Sequence, residues 1–249
     1  MIEVGGESMV TPSRPNPETA AQLVIEKHFP NCQAALLAGS VVRGEGTSTS
    51  DLDIVIFDQV LPASYRESFI DFGWYIECFV HNFSSYKEFF ESDRAQAKPS
   101  MPKMVSEGII IRDANIVNMV KQEANELLQK GPDKWSSEAI DMKRYFLTDV
   151  LDDFKGCSKR GEAIFLANTL AELSIEFILR INRQWIGSSK WTIRALKNYD
   201  EKLAKDFIGA LEEFYQKNEK EKIIQFVEEA IEPYGGLLFD GFSMGKDKC

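Results

Sequence analysis

One run governs what this chain can become: Gly39-Ser40-Val41-Val42-Arg43-Gly44-Glu45-Gly46-Thr47-Ser48-Thr49-Ser50-Asp51-Leu52-Asp53-Ile54-Val55-Ile56. A Gly-Ser turn leads through a small polar loop to two carboxylates placed one residue apart at the head of an apolar strand. Residues i and i+2 of a strand share a face, about 6–7 Å apart. Asp51 and Asp53 therefore project together, while Leu52 and Ile54 point the other way. Two carboxylates held side by side repel, and burying the pair is costly unless a cation joins them. Two hard oxygen ligands with room for water and phosphate suit Mg²⁺. The upstream Gly39 and Ser40 offer a backbone turn and a hydroxyl, the donors that a phosphate requires. A metal and a phosphate in one site imply nucleotide chemistry.

Charge narrows the class of partner. The chain of 249 residues carries a formal net charge of −10. Phosphate contacts dominate nucleic-acid affinity, so this balance argues against a nucleic-acid substrate and suits a small cationic one. Four cysteines, Cys32, Cys78, Cys157 and Cys249, lack metal-ligand spacing and read as reduced thiols of a cytoplasmic protein. No signal-peptide pattern and no membrane-spanning apolar run are present in the sequence. Oligomeric state is not legible in it.

Along the chain, residues 1–16 are rich in Gly, Pro, Ser and Glu and read as a disordered tail, with Met9 an alternative start. Ala20, Leu23, Val24 and Ile25 give residues 17–29 a helical apolar spacing. Residues 33–38 read as a strand delivering Gly39, and Ser40 as the opening of a short helix. Leu52–Phe57 reads as a covered central strand. Glu67–Phe72 and Tyr75–Val80 read as two strands turning at Gly73. Asn82–Asp93 is expected to be a helix with Phe83, Tyr86, Phe89 and Phe90 as its stripe. Gly108–Arg112 is expected at a sheet edge. Beyond Asp113 the period stays near 3.6, with breaks at Gly131-Pro132, Gly156, Gly187-Ser188-Ser189 and Asn198. The expected architecture is an α/β domain with a mixed sheet over residues 17–131. An all-α bundle of four or five helices follows over residues 132–249.

Further residues carry candidate chemistry. Glu77 stands as a charge inside the apolar strand Trp74–Val80, either serving a metal or substrate hydroxyl or facing water at an edge. His81 falls on the same face by the two-residue period. Arg43 either touches phosphate or braces the loop by pairing with an aspartate. Glu45 would repel phosphate and is expected to point toward solvent or substrate. Between Phe177 and Tyr199 there is no acidic residue, yet Arg180, Arg183, Lys190, Arg194 and Lys197 occur. Their spacing puts Arg180 with Arg183 on one helix face and the other three on another, a cationic patch suited to distal phosphates. Glu172 and Glu176 precede it; they either reach the site or form salt bridges with Arg180 or Arg183.

Gly39-Ser40, Arg43-Gly44 and Ser50-Asp51-Leu52-Asp53 resemble the G-S-x-x-R-G … S-D-x-D signature of the nucleotidyltransferase superfamily that includes DNA polymerase β. Within it, the chain looks most like bacterial aminoglycoside nucleotidyltransferases, an antibiotic-resistance family. The resemblance implies a nucleotidyltransferase domain joined to a helical one. It implies transfer of a nucleoside monophosphate, AMP from ATP, to a hydroxyl of a small cationic acceptor. Asp51, Asp53 and Glu77 would be the metal and catalytic carboxylates, and Gly39, Ser40, Arg43, Ser50 and Lys190 the nucleotide contacts. Glu45 departs from the more neutral loop of many members. Two other readings stand beside it: a non-catalytic, antitoxin-like regulator and a protein-modifying adenylyltransferase. The helical half lacks histidine, so it carries no Arg…His RNase pair of the kind found in the helical partners of such antitoxins.

Overall fold

The computed structural model describes residues 14–245. The chain divides into two units, and each is built around its own core.

The first unit comprises the chain through Ser92 together with Ser100–Gln129. Its five strands are β1 (Ala34–Ala38), β2 (Leu52–Phe57), β3 (Tyr65–Asp71), β4 (Trp74–His81) and β5 (Ile109–Asp113), in the order β3-β4-β2-β1-β5. β2 and β4 run parallel, and the remaining pairs are antiparallel. β2 is central and apolar at nearly every position because both faces are covered. Leu52, Ile54 and Ile56 pack with Ile76, Cys78 and Val80 against α1 (Pro17–His28), through Ala20, Ala21, Val24 and Ile25. Val55 and Phe57 face the opposite layer, where Tyr86 and Phe90 of α2 (Ser85–Gln96) meet α3 (Ser100–Glu107) and α4 (Val117–Lys130).

Local sequence explains the joints. Asn16 caps α1 by accepting from the Thr19 amide at 2.9 Å, and Pro17 follows at the first helical position, where no N–H is needed. β3 and β4 form a two-residue hairpin in which Phe72 and Gly73 both adopt positive φ, 51° and 76°. That is the turn whose twist matches antiparallel strands. β5 lies at the sheet edge, as its short β-branched run predicts. Among the residues given to the tail, Arg14, Pro15 and Asn16 are engaged: the Arg14 guanidinium lies 3.6 Å from the Trp74 ring centre, and Pro15 O accepts from Trp74 Nε1. Residues 1–13 and Met9 lie outside the described region. α3 is absent from the sequence reading, because Pro102 looks like a helix breaker although Pro is tolerated in a first turn.

The second unit gathers Asp93–Pro99 with the chain from Lys130 onward. Its helices are α5 (Ser137–Gly156), α6 (Arg160–Ile181), α7 (Lys190–Tyr199), α8 (Glu201–Lys217) and α9 (Glu221–Ile231). Leu147, Leu151, Phe154, Leu170, Phe177 and Phe214 fill the main core. α7 runs through the expected break at Asn198, because the stop signal is Asp200, which caps α8 by accepting from the Leu203 amide. The α8–α9 junction falls at Asn218, in the left-handed conformation at φ 62°. The short segment Asp93–Pro99 joins this unit through Arg94 on Asp133 (2.9 Å) and the Ile186 amide on Ala97 O (2.8 Å).

Candidate functional site

The parallel pairing of β2 and β4 assembles three carboxylates. Asp53 and Glu77 stand opposite each other in register, and neighbouring strands are separated by about 4.8 Å. Asp51, two residues before Asp53, shares its face. One carboxylate oxygen from each of Asp51, Asp53 and Glu77 lies within 4.8 Å of the others. None of the three is fully buried, so the group is reachable from solvent. Three converging carboxylate oxygens are the donor set that a hard divalent cation takes.

The electrostatics are strained. Burial pushes the Asp53 carboxyl from an ordinary 3.8 up to about 6, and the charges of Asp51 and Glu77 add to the effect. Arg66 and Arg43 pull in the opposite direction and do not cancel it. A half-buried carboxylate that resists ionising beside two other acids is relieved by a dication, so the residues present fit the metal that the sequence implies.

Gly39 is required by this packing. It has φ +81°, and a Cβ there would lie 2.0 Å from Asp53 Oδ2, well inside contact distance. The carboxylate therefore rests directly on the Gly39 backbone, and a side chain at 39 evicts it.

The loop between β1 and β2 differs from expectation. Ser40 does not open a helix. The chain makes one turn, with the Glu45 amide on Ser40 O at 3.0 Å, and stops at Gly44, whose φ is +71°. A left-handed residue ends a helix, and the chain must return at once to deliver Asp51 to the sheet. No helix N-terminus is therefore presented to a phosphate at Ser40. Ser40 Oγ instead donates to Ser50 Oγ (3.2 Å), which accepts from the Thr47 amide (2.9 Å). Arg43 takes the bracing role, but with glutamates: it pairs with Glu107 on α3, and with Glu45 at 3.4 Å. Glu45 thus folds onto Arg43.

On the other side of the carboxylates lies the β3–β4 hairpin. Register places Ser68 opposite Glu77, and Ile70 opposite Tyr75. Ser68, Tyr75, Asp51 and Glu77 all line a pocket of about 450 Å³. Ile70 and Tyr75 are exposed at its rim, so an apolar wall stands beside the acids. Arg66, also on β3, pairs with Glu77 through Nη2, and its guanidinium lies 4.8 Å from the Phe79 ring centre. Sequence reasoning missed Arg66 and Ser68. Counting back from the Gly73 turn finds both, since a two-residue hairpin there sets Ser68 against Glu77 and Arg66 against Phe79.

His81 plays no part in the carboxylate group. It is buried at the far end of β4, edge-on to Phe89 at 4.8 Å, and burial depresses its pKa to about 4. It is a neutral core residue at physiological pH.

In the second unit, the expected cationic patch separates into residues with different tasks. Arg180 is buried; it donates to Asp133 O at 2.8 Å and lies 5.2 Å from the Trp135 ring centre. Arg183 falls beyond the end of α6 at Ile181, so the two share no helix face, and it donates to Lys130 O. Arg194 stacks on Trp191 at 4.7 Å, and Lys197 pairs with Glu201 at 3.6 Å. Lys190 is exposed as the first residue of α7, following Ser189 at φ 54°. Glu176 pairs with Lys143 at 2.7 Å, and Glu172 is exposed.

No protein-family model and no curated protein matches the chain. Among solved structures, it is similar to a nucleotidyltransferase-like protein from Exiguobacterium sibiricum 255-15, with a TM-score of 0.47 and 10% identity over 87% of this chain and 74% of that one. At that level of similarity the functional reading stands on the carboxylate geometry. Among the described residues, no helix is long and apolar enough to cross a membrane.

Proposed function

We propose that this protein is a Mg²⁺-dependent nucleotidyltransferase that transfers AMP from ATP to a hydroxyl of a small molecule and releases pyrophosphate. The observation that carries the proposal is the convergence of Asp51, Asp53 and Glu77 on adjacent parallel strands, with Asp53 seated on Gly39.

Asp51 and Asp53 would hold the cation, which would supply positive charge to offset that of the reacting phosphate. Glu77, beside the open pocket, accepts the proton of the attacking hydroxyl or completes the metal set. Gly39 keeps Asp53 in place. Ser40, Ser50 and Arg43 hold the loop beside the triad, and their hydroxyl and guanidinium donors turn to the phosphates as the nucleotide binds. By the sequence resemblance, Lys190 would serve the distal phosphates. Catalysis then rests mainly on positioning and charge.

The acceptor is a hydroxyl-bearing cation such as an aminoglycoside. The −10 net charge and the acids lining the pocket favour it, and the Ile70–Tyr75 wall suits the apolar face of a sugar ring. The test measures pyrophosphate release with Mg²⁺ and ATP, GTP, CTP or UTP. Acceptors are a panel of aminoglycosides, a lincosamide and neutral sugars, and the control is Asp51→Asn. Release that requires both acceptor and Asp51 supports the proposal. Absence of any Mg²⁺-dependent nucleotide binding, read as a thermal shift, refutes it.

A further inference from the structure

Glu77 is already partnered in this structure, by a group that the proposed reaction does not use. Arg66 reaches across from β3, its Nη2 on Glu77 Oε2. Its guanidinium lies against the Phe79 ring, and its positive charge is among the influences that lower the Asp53 pKa. The placement follows from register: Arg66 stands opposite Phe79, two residues from Glu77 on β4, so its long side chain runs diagonally to the carboxylate over an aromatic face.

We propose that Arg66 is a built-in counter-cation of the triad, which holds Glu77 in the metal-free protein and competes with the divalent cation for it. This rests on the reading that the triad binds such a cation. The physical argument is one of charge. Three carboxylates within 4.8 Å carry up to three negative charges. A fixed positive charge on one of them lowers the repulsion that a dication would otherwise relieve, and it repels the dication itself. Arg66 is the more exposed partner, with 58% of its side chain accessible against 27% for Glu77, so it leaves Glu77 for water at modest cost. Arg66 is therefore a positioning residue that sets how strongly the triad draws a cation.

The experiment is a calorimetric titration of the full chain with Mn²⁺ alone, without nucleotide, on wild type, Arg66→Gln, Arg66→Lys and Asp51→Asn. Thermal unfolding in EDTA is measured on the same samples. Arg66→Gln is expected to bind Mn²⁺ roughly three- to tenfold more tightly than wild type, the size of one screened charge contact. It is also expected to unfold at a lower temperature in EDTA, because the triad then lacks its counter-charge. Arg66→Lys, which keeps the charge, is expected to stay close to wild type in both. If wild type binds Mn²⁺ and Arg66→Gln binds it equally or more weakly, the counter-cation role is overturned while the metal site stands. Equal weakening in the Gln and Lys variants points instead to a guanidinium-specific anchor of Glu77 and also overturns it. If wild type and Asp51→Asn both fail to bind Mn²⁺, the metal reading falls and this inference falls with it.

Discussion

Replacing Asp53 with asparagine should make the metal-free protein more stable, although it removes a central residue of the site. The size of the effect follows from the raised pKa. The Asp53 carboxyl titrates at about 6 when folded and at 3.8 when free of its neighbours. The folded form therefore binds this proton more tightly than the unfolded form. Stability from the neutral carboxyl is fully present below about pH 4 and is lost as pH rises through about 6. Each pKa unit corresponds to about 1.4 kcal/mol, so above pH 7 the ionised carboxylate costs the fold about 2–3 kcal/mol. At pH 5 roughly half of that cost applies, and at pH 4 about 0.5 kcal/mol. Asparagine is nearly the same shape and carries no charge, so Asp53→Asn recovers most of the difference. Urea unfolding in EDTA at pH 7.5, 5 and 4 measures it, and thermal unfolding at pH 7.5 should rise by roughly 5–10 °C. Saturating Mg²⁺ should then stabilise wild type and leave the variant unmoved. A variant less stable than wild type at pH 7.5 in EDTA, or a stability gap that does not shrink toward pH 4, would refute the reasoning.

Gly39→Ala should lose Mn²⁺ binding and destabilise the first unit by about 2–4 kcal/mol, because the new Cβ occupies the Asp53 oxygen position at a positive φ. Calorimetric titration together with circular dichroism would show it, and a well-folded variant with normal Mn²⁺ affinity would count against the seat assigned to Asp53. Lys190→Ala should raise the ATP KM several-fold while leaving the unfolding temperature near wild type, since the side chain is exposed at the start of α7. Equal weakening of ATP and AMP binding would place Lys190 away from the distal phosphates.

Where local pattern and tertiary demand agreed, the sequence was readable. β2 was legible residue for residue, because a strand covered on both faces must be apolar throughout, and Asp53 broke that pattern where the site begins. Glu77 was legible as an acid among the apolar residues of β4. The hairpin turn was legible because Gly73 permits positive φ. Ser40 misled because a serine after a strand caps a helix and opens a turn by the same hydrogen-bonding chemistry; Gly44, four residues later, decided between them. The cationic stretch misled because spacing gives a helix face only while the helix continues. α6 stops at Ile181, so Arg180 is buried within the helix while Arg183 lies beyond it and reaches the last carbonyl of α4. Arg66 was invisible because its significance is a cross-strand relation, and no local pattern along β3 records what β4 sets beside it.

The short segment Asp93–Pro99 bears on how the protein is made. It emerges from the ribosome between two stretches of the first unit, yet its partners Asp133 and Ile186 are still to be synthesised. At typical elongation rates of 5–20 residues per second, the roughly 90 residues between Ala97 and Ile186 take about 5–20 s to appear. For that interval the Ala97 carbonyl and the Arg94 guanidinium await Ile186 and Asp133. Translation speed across residues 97–186 thus becomes a variable in the yield of folded protein, and no single cut of the chain separates the two units whole.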